Sequence, residues 1–413
     1  MNILVLFPND YDIFFLTQQR FPDCNFFFEG SGDIVAHLEQ FSIDHFIEKT
    51  TNKYQDIDGV ICTQDYPGML VAAILAFKWQ LPTCRPETTI VLQHKYYSRL
   101  LQQECLPDNT PRFMPLSLEQ NFDDWDFGFP CFIKPVKSVF SFLASRIENK
   151  EQLHNFVDKS KEQLRSFSKP FNDALKHYPQ FCIDANHFIV EEVLGGLQVT
   201  LDGFSWNGDV SITGIVDSVT YPGKESFHSF EYPSKLPKQV QDRMIHMAKT
   251  FMLHTKYQQG MFNIEMFYDK DRDKIDIIEV NPRMFFAAAD YFEKVDGLNT
   301  YNMCLDIAVG REPNIPSTIG KFKVAATFTP RLFEDKLVRR IPSSENIKKI
   351  KRQFPDMILK IEHKVGQKLS DTVQSTGSYK YAVLNLGGNS WGDLYQRFQE
   401  IMNMLDFEFG PLE

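Results

Sequence analysis

The stretch 261–283, MFNIEMFYDKDRDKIDIIEVNPR, constrains this chain more than any other part of it. Apolar and polar residues alternate on both sides of a charged turn, Asp269 to Lys274, which is the pattern of a β-hairpin. With the turn centred near Arg272, Glu265 of the first strand falls opposite Glu279 of the second. Side chains alternate with period two, so Ile277, Glu279 and Asn281 are expected to share one face. Carboxylates that face each other across a ladder repel and weaken the pair. A divalent cation between them removes that penalty. Two carboxylates and an amide (Glu265, Glu279, Asn281) form a hard oxygen set suited to Mg²⁺, with Mn²⁺ as the alternative. The competing reading is an exposed hairpin whose acids serve only solubility.

At 413 residues the chain is long enough for two to four domains or subdomains. Its 43% hydrophobic content and 38 Phe place it among globular chains and exclude a disordered one. The net charge of −10, with no Lys/Arg block, argues against nucleic acid as a partner. Seven scattered Cys without a C-x-x-C spacing give neither a disulfide framework nor a zinc site, so a reducing, cytoplasmic setting is expected. The opening MNILVLFPND is too short an apolar run for a signal peptide, and no 18-residue apolar window offers a membrane span.

Along the chain, residues 3–7 and 58–62 read as buried parallel strands, and Pro67 to Lys78 as a helix. Strand, helix, strand, helix over the first 85 or so residues predicts a small doubly wound α/β domain. It lacks G-x-G-x-x-G and is not read as a dinucleotide binder. A helix over 88–103 follows. Two strands are expected within 129–147, a helix from Lys150, and strands over 187–203, 209–219 and 261–280. Helices are expected over 238–254 and 299–309. The last hundred residues hold strand candidates at 322–328 and 381–386 and an amphipathic helix from Trp391 to Leu405.

Lys134 stands inside Phe132-Ile133-Lys134-Pro135-Val136, a run otherwise fit for burial. Its ammonium must reach a polar partner there, because an unpaired buried charge is costly. Lys95 lies in the preceding helical segment, where alone it would read as a solvated lysine.

Taken in order, these elements resemble the ATP-grasp superfamily. The string I-x-E-x-N-P-R at 277–283 is similar to the Mg²⁺-binding end of that family, and Lys95 followed by FPCFIKPV is similar to its two phosphate lysines. The stretch 187–194 before Gly195-Gly196 resembles its hinge, and GLQVTLDG resembles its G-x-E-x-S-V-D-G pattern with Gln198 in place of Glu. The likeness covers about residues 90–310 and is closest to the carboxylate–amine ligases.

The resemblance implies an α/β and α+β chain with the ATP-grasp fold. Residues 1–88 would form an N-terminal doubly wound domain, 89–194 a linker helix and lid, 195–310 a mixed-sheet catalytic subdomain, and 311–413 a C-terminal extension. ATP would be held by Lys95, Lys134, Ser141, the hinge Glu191, Glu192, Val193 and Leu194, and Gln198. Mg²⁺ would sit on Glu265, Glu279 and Asn281, and Arg283 would stabilise charge in the acyl-transfer step. The implied reaction joins a small-molecule carboxylate to an amine through an acyl phosphate, releasing ADP and phosphate. Many members of the family form homodimers, but nothing in the sequence marks an interface and the oligomeric state stays open; no nucleic-acid or membrane partner is expected.

One departure is plain. After Lys134-Pro135-Val136 the family has a Gly-rich loop, whereas this chain has Lys137-Ser138-Val139-Phe140-Ser141-Phe142-Leu143. Glycine permits close approach and positive φ where Phe and Leu resist both, so either Lys137, Ser138 and Ser141 grip the phosphates in a different loop geometry or the loop binds nucleotide poorly. Three other readings stay open at this stage. They are a bicarbonate-activating carboxylase, a degenerate ATP-grasp protein that binds nucleotide without turnover, and a structural protein that binds none.

Overall fold

The computed structural model describes residues 1–413 except 19, 121, 123, 124, 316–318, 373–376 and 413. The apolar strand Asn2–Leu6 lies at the centre of a three-stranded parallel sheet, between Asn25–Glu29 and Gly59–Ile61. Ile3, Leu4 and Leu6 have no exposed surface, as expected of a strand covered on both faces. Helices Asp10–Thr17, Ile43–Lys53 and Gly68–Lys78 connect and flank the strands.

The helix expected over 88–103 is two helices, Pro86–Gln93 and Lys95–Cys105, broken at an extended His94 (φ −94°, ψ 99°). Tertiary contacts impose the break. The His94 ring is fully buried, 4.5 Å from the ring of Tyr97, and the amide of Lys95 donates to the Val136 carbonyl at 2.7 Å. Lys95 therefore opens a helix that is tied to the next sheet.

That next sheet has four antiparallel strands in the order Phe113–Ser117, His187–Glu192, Cys131–Pro135, Ser145–Ile147. Helix Lys150–Leu175 covers it, with Leu153, Val157 and Leu164 packed against Ile133, Phe188 and Val190. This is the lid.

The central sheet has eight strands, running from the hairpin Lys274–Asn281 and Gly260–Asp269 through Leu197–Trp206, Asp209–Thr220 and Phe227–Tyr232 to Val324–Phe328, Ala382–Gly388 and Ile358–Ile361. Every pair in it is antiparallel, so the expected mixed sheet is antiparallel among the described residues, with parallel pairing in the N-terminal sheet. Beyond residue 311, three strands extend this sheet, while Arg331–Leu332 pairs with Tyr379–Lys380 and Leu337–Arg340 with Glu408–Gly410 in two short ladders of their own. Helix Lys238–His254 buries Met244, Met247 and Phe251 on one face of the sheet, against Ile264, Met266 and Ile277. Helices Ala288–Asp296 and Thr300–Ala308 join the other side of the sheet to Ile3, Val5 and Ile61 in one core.

The hairpin pairs Glu265 with Glu279, as its charged turn predicts, but the register slips by one residue between Glu265 and Met266. Met266 pairs with Ile277, which leaves Ile278 as a bulge. The expectation that Ile277 shares a face with Glu279 and Asn281 is corrected by this bulge. Ile277 packs with Val280 in the helix-covered core, on the opposite side from Glu279.

Candidate functional site

The facing carboxylates do not stand alone. Lys95 Nζ lies 3.1 Å from Glu279 Oε2, Gln198 Nε2 donates to Glu265 Oε2 at 3.0 Å, and Asn281 Nδ2 reaches Glu265 Oε1 at 3.5 Å. Burial and then the charge of Glu279 push the Glu265 carboxyl up to about 7, against the pull of Arg283, Lys95 and Lys134. Burial acts on Glu279 too, but Lys95 and Lys134 outweigh it and hold that carboxyl low. Glu279 keeps 27% of its side-chain surface, so water tempers the effect there. Without a cation, then, the proton of the pair resides on Glu265. An oxygen-binding cation fits this set, since it would replace that proton and face oxygen donors only. Among the described residues there is no cluster of three or more His, Cys, Asp and Glu, so the remaining ligands of such an ion would come from water or substrate.

Lys134 meets its polar partner as burial demands. Its Nζ lies 2.8 Å from Glu191 Oε2, and Arg99 Nε takes the other oxygen at 2.5 Å. All three side chains are under 10% exposed. Burial alone would raise the Glu191 carboxyl, yet Arg99 and Lys134 bring it down to about 2. Burial pushes the Lys134 ammonium down, and Glu191 only partly restores it. Arg99 also donates to the carbonyls of Ile277 and Ile278 at 2.7 and 3.0 Å. The bulge is thereby satisfied, and the metal-ligand strand is locked to the helix that begins at Lys95. Arg99 was not among the residues singled out in the sequence. Its signal there is weak, because an arginine one turn past Lys95 reads as a solvated helix residue.

The hinge residues divide. Glu191 is engaged in the buried network, while Glu192 is exposed and accepts from the Arg112 amide at 3.0 Å. Val193, Leu194, Gly195 and Gly196 then carry the chain from the lid sheet to the central sheet. Gly196 has φ +126°, and a Cβ there would lie 2.3 Å from the Tyr268 carbonyl oxygen. Only glycine fits this crossing.

Arg283 follows the hairpin. Its Nη1 is buried without a hydrogen-bond partner among the described residues, and its guanidinium lies 5.8 Å from the Phe285 ring. Its charge acts on Asp65, Asp202 and Glu265. Asp202 accepts from Asn263 Nδ2 at 3.1 Å and keeps its second oxygen buried and unpaired; burial pushes its carboxyl up to about 7.

In the loop after Lys134, it is Ser138 rather than Ser141 that meets Lys95, whose Nζ lies 3.3 Å from the Ser138 carbonyl oxygen. Phe140, Ser141 and Leu143 all hold φ near +50°. The loop thus keeps a backbone that glycine adopts freely, although no glycine is there, at a cost of about 1–2 kcal/mol per residue. Lys137, one of the residues that would grip the phosphates in an altered loop, is 2% exposed and pairs with Asp65, in the turn after strand Gly59–Ile61, at 3.0 Å.

The structure therefore gathers three hydrogen-bonded groups, Lys95 with Glu279, Gln198 and Asn281 with Glu265, and Lys134 with Glu191, and the charges of Lys95, Lys134 and Arg283 all act on Glu265. Ser141 and Glu192 stand outside these hydrogen bonds.

Residues 127–289 match the family model of the ATP-grasp domain. Over its whole length the chain has the fold of an L-amino acid ligase from Bacillus licheniformis, with a TM-score of 0.73, 17% identity, and 99% of this chain and 98% of that one covered. Phosphoribosylglycinamide synthetase from Anaerococcus prevotii is similar as well (TM-score 0.69, 14% identity, 98% and 99% covered). In sequence, a stretch of 199 residues is 24% identical to the C-terminal section of the carbamoyl phosphate synthase large chain of Methanopyrus kandleri. That match spans 47% of this chain and 33% of the relative, so the chain corresponds to about a third of that protein's length. No helix among the described residues is long and apolar enough to cross a membrane.

Proposed function

We propose that this chain is an ATP-dependent ligase that joins a carboxylate to an amine and releases ADP and phosphate. The observation that carries the reading is the carboxylate pair Glu265 and Glu279, with Lys95 on one member and Lys134 near enough for its charge to act on both. A phosphoryl-transfer site needs a metal position, cations for the phosphates and a cleft between two bodies. The match to the ATP-grasp domain model and the bonds that tie the helix from Lys95 to the hairpin support this reading.

In the proposed reaction the substrate carboxylate oxygen attacks the γ-phosphorus, the bond to the β-phosphate oxygen breaks, and ADP leaves. The amine nitrogen then attacks the acyl carbon, phosphate leaves with the C–O electron pair, and the amine gives up a proton. Lys95 and Lys134 would hold the phosphates, and the hinge Glu191, Glu192, Val193 and Leu194 would carry adenine on its backbone groups. Glu265, Glu279 and Asn281 would hold Mg²⁺, which when bound supplies charge neutralisation on the β- and γ-oxygens. Arg283, with its free buried Nη1, would face the oxygen that gains charge during acyl transfer. Gln198, in the family's ribose position, donates to Glu265 here and would orient that ligand instead.

The test is ADP release from Mg-ATP by purified protein against panels of amino acids and other carboxylates and amines. Release that needs both a carboxylate and an amine supports the ligase. Release with bicarbonate alone supports carboxylation, and nucleotide binding with no release under any pairing rejects turnover. The non-glycine loop at 138–143 is the observation that favours this last reading.

A further inference from the structure

Lys137 is buried where the loop that should close over the phosphates begins. Its Nζ donates to Asp65 Oδ1 at 3.0 Å and lies 5.2 Å from the Tyr66 ring. Gln93 Nε2 fixes Asp65 from the other side, donating to its Oδ1 at 3.0 Å and its carbonyl at 2.8 Å. Lys95 and Glu279 act on Lys137 by charge, so it borders the same centre. The next residue, Ser138, accepts from Lys95 through its backbone carbonyl.

Glycine-rich loops grip phosphate with backbone N–H groups brought close because no Cβ intervenes. Here Phe140 and Leu143 carry side chains at the left-handed positions, and Phe140 is 67% exposed. The close approach is blocked where the turn is kept. A lysine is the other device for a terminal phosphate, acting as a point charge on a flexible stem.

We infer that Lys137 is a third phosphate-binding lysine that takes over from the missing glycines, resting on Asp65 until the γ-phosphate draws it away. Asp65 is then a positioning residue contributed by the N-terminal domain. Burial lowers the ammonium's pKa despite Asp65, which fits a cation held with a single carboxylate and open to a stronger anion. The inference rests on the ATP reading above.

It is tested by titrating Mg-ATP and Mg-ADP into wild type, Lys137→Met, Lys137→Arg and Asp65→Asn, with circular dichroism as the check on folding. A charge-assisted contact to the γ-phosphate is worth about tenfold or more in affinity. Lys137→Met should lose about that factor for ATP and under about threefold for ADP. Lys137→Arg should restore part of the preference, and Asp65→Asn should keep it. If Lys137→Met and Asp65→Asn weaken both nucleotides alike, or change neither, Lys137 is a packing partner and the inference falls. If Lys137→Met does not fold, a Lys137→Arg protein that keeps part of the ATP-to-ADP preference beside an Asp65→Asn protein that keeps it supports the inference, and loss of preference in both, or an unchanged preference in Lys137→Arg, overturns it. Wild type that binds neither nucleotide removes the ATP reading itself, and this inference with it.

Discussion

Glu265 and Glu279 are register partners across a two-strand ladder, and the ammonium of Lys95 sits 3.1 Å from one of them. Above the raised value of about 7 for Glu265, the ligand-free protein therefore holds a like-charge pair at the position where opposite charge would stabilise the sheet. Such a pair gains from replacing either carboxylate with a neutral isostere. At pH 8, Glu265→Gln should raise ligand-free stability by roughly 0.5–1 kcal/mol, read from urea denaturation, and should remove Mg²⁺-dependent stabilisation. A loss of stability in the absence of metal would contradict this account of the pair.

The pH dependence follows from the same carboxyl. The ordinary value is 4.5, and in the fold Glu265 is pushed up to about 7 by burial and Glu279. Between those values the folded protein binds more protons than the unfolded chain, so ligand-free stability falls as pH rises through the window. Cation binding must displace that proton, so Mg²⁺-linked stabilisation should grow across the same window. Melting curves at pH 5, 6, 7 and 8, with and without Mg²⁺, should show the two trends running in opposite directions. Parallel trends would mean that the cation does not bind at Glu265.

Glu191 has the opposite sign. Arg99 and Lys134 hold its carboxyl at about 2 despite burial, so its contribution is complete above 4.5 and is lost as pH falls towards 2. Glu191→Ala leaves two buried cations without their counter-charge, a change that costs about 3–5 kcal/mol. Denaturation at neutral pH measures it, and an effect under about 1 kcal/mol would mean that water reaches the network freely.

Gly196 joins the lid sheet to the central sheet at φ +126°, with the Tyr268 carbonyl oxygen 2.3 Å from where a Cβ would stand. Gly196→Ala should cost about 1–3 kcal/mol and lower the melting temperature. An unchanged melting temperature would show that the hinge accommodates a side chain by shifting.

What could be read from the sequence was local. The charged turn at 269–274 fixes the pairing of Glu265 with Glu279, and an apolar run around Lys134 demands a buried partner without naming it. The partner, Glu191, lies 57 residues further on by number, and the adjacent strands Cys131–Pro135 and His187–Glu192 bring the two together. The bulge at Ile278 has no glycine or proline to mark it, and its stabiliser, Arg99, comes from a helix far away in sequence. The break at His94 is likewise invisible locally, because packing on Tyr97 and the bond to Val136 decide it. Asp65 and Lys137 belong to different bodies of the fold, and no spacing rule joins them.

The most direct test of the account is the melting temperature of wild type and Glu279→Ala, each with Mg-ATP, with ATP and a chelator, and with neither. A ligand at about 100 times its dissociation constant adds roughly 2.7 kcal/mol, a shift that thermal melting resolves. The account predicts a rise for wild type only when Mg²⁺ and ATP are both present, and none for Glu279→Ala. An equal rise in the mutant, or no rise in wild type at millimolar Mg-ATP, would contradict it.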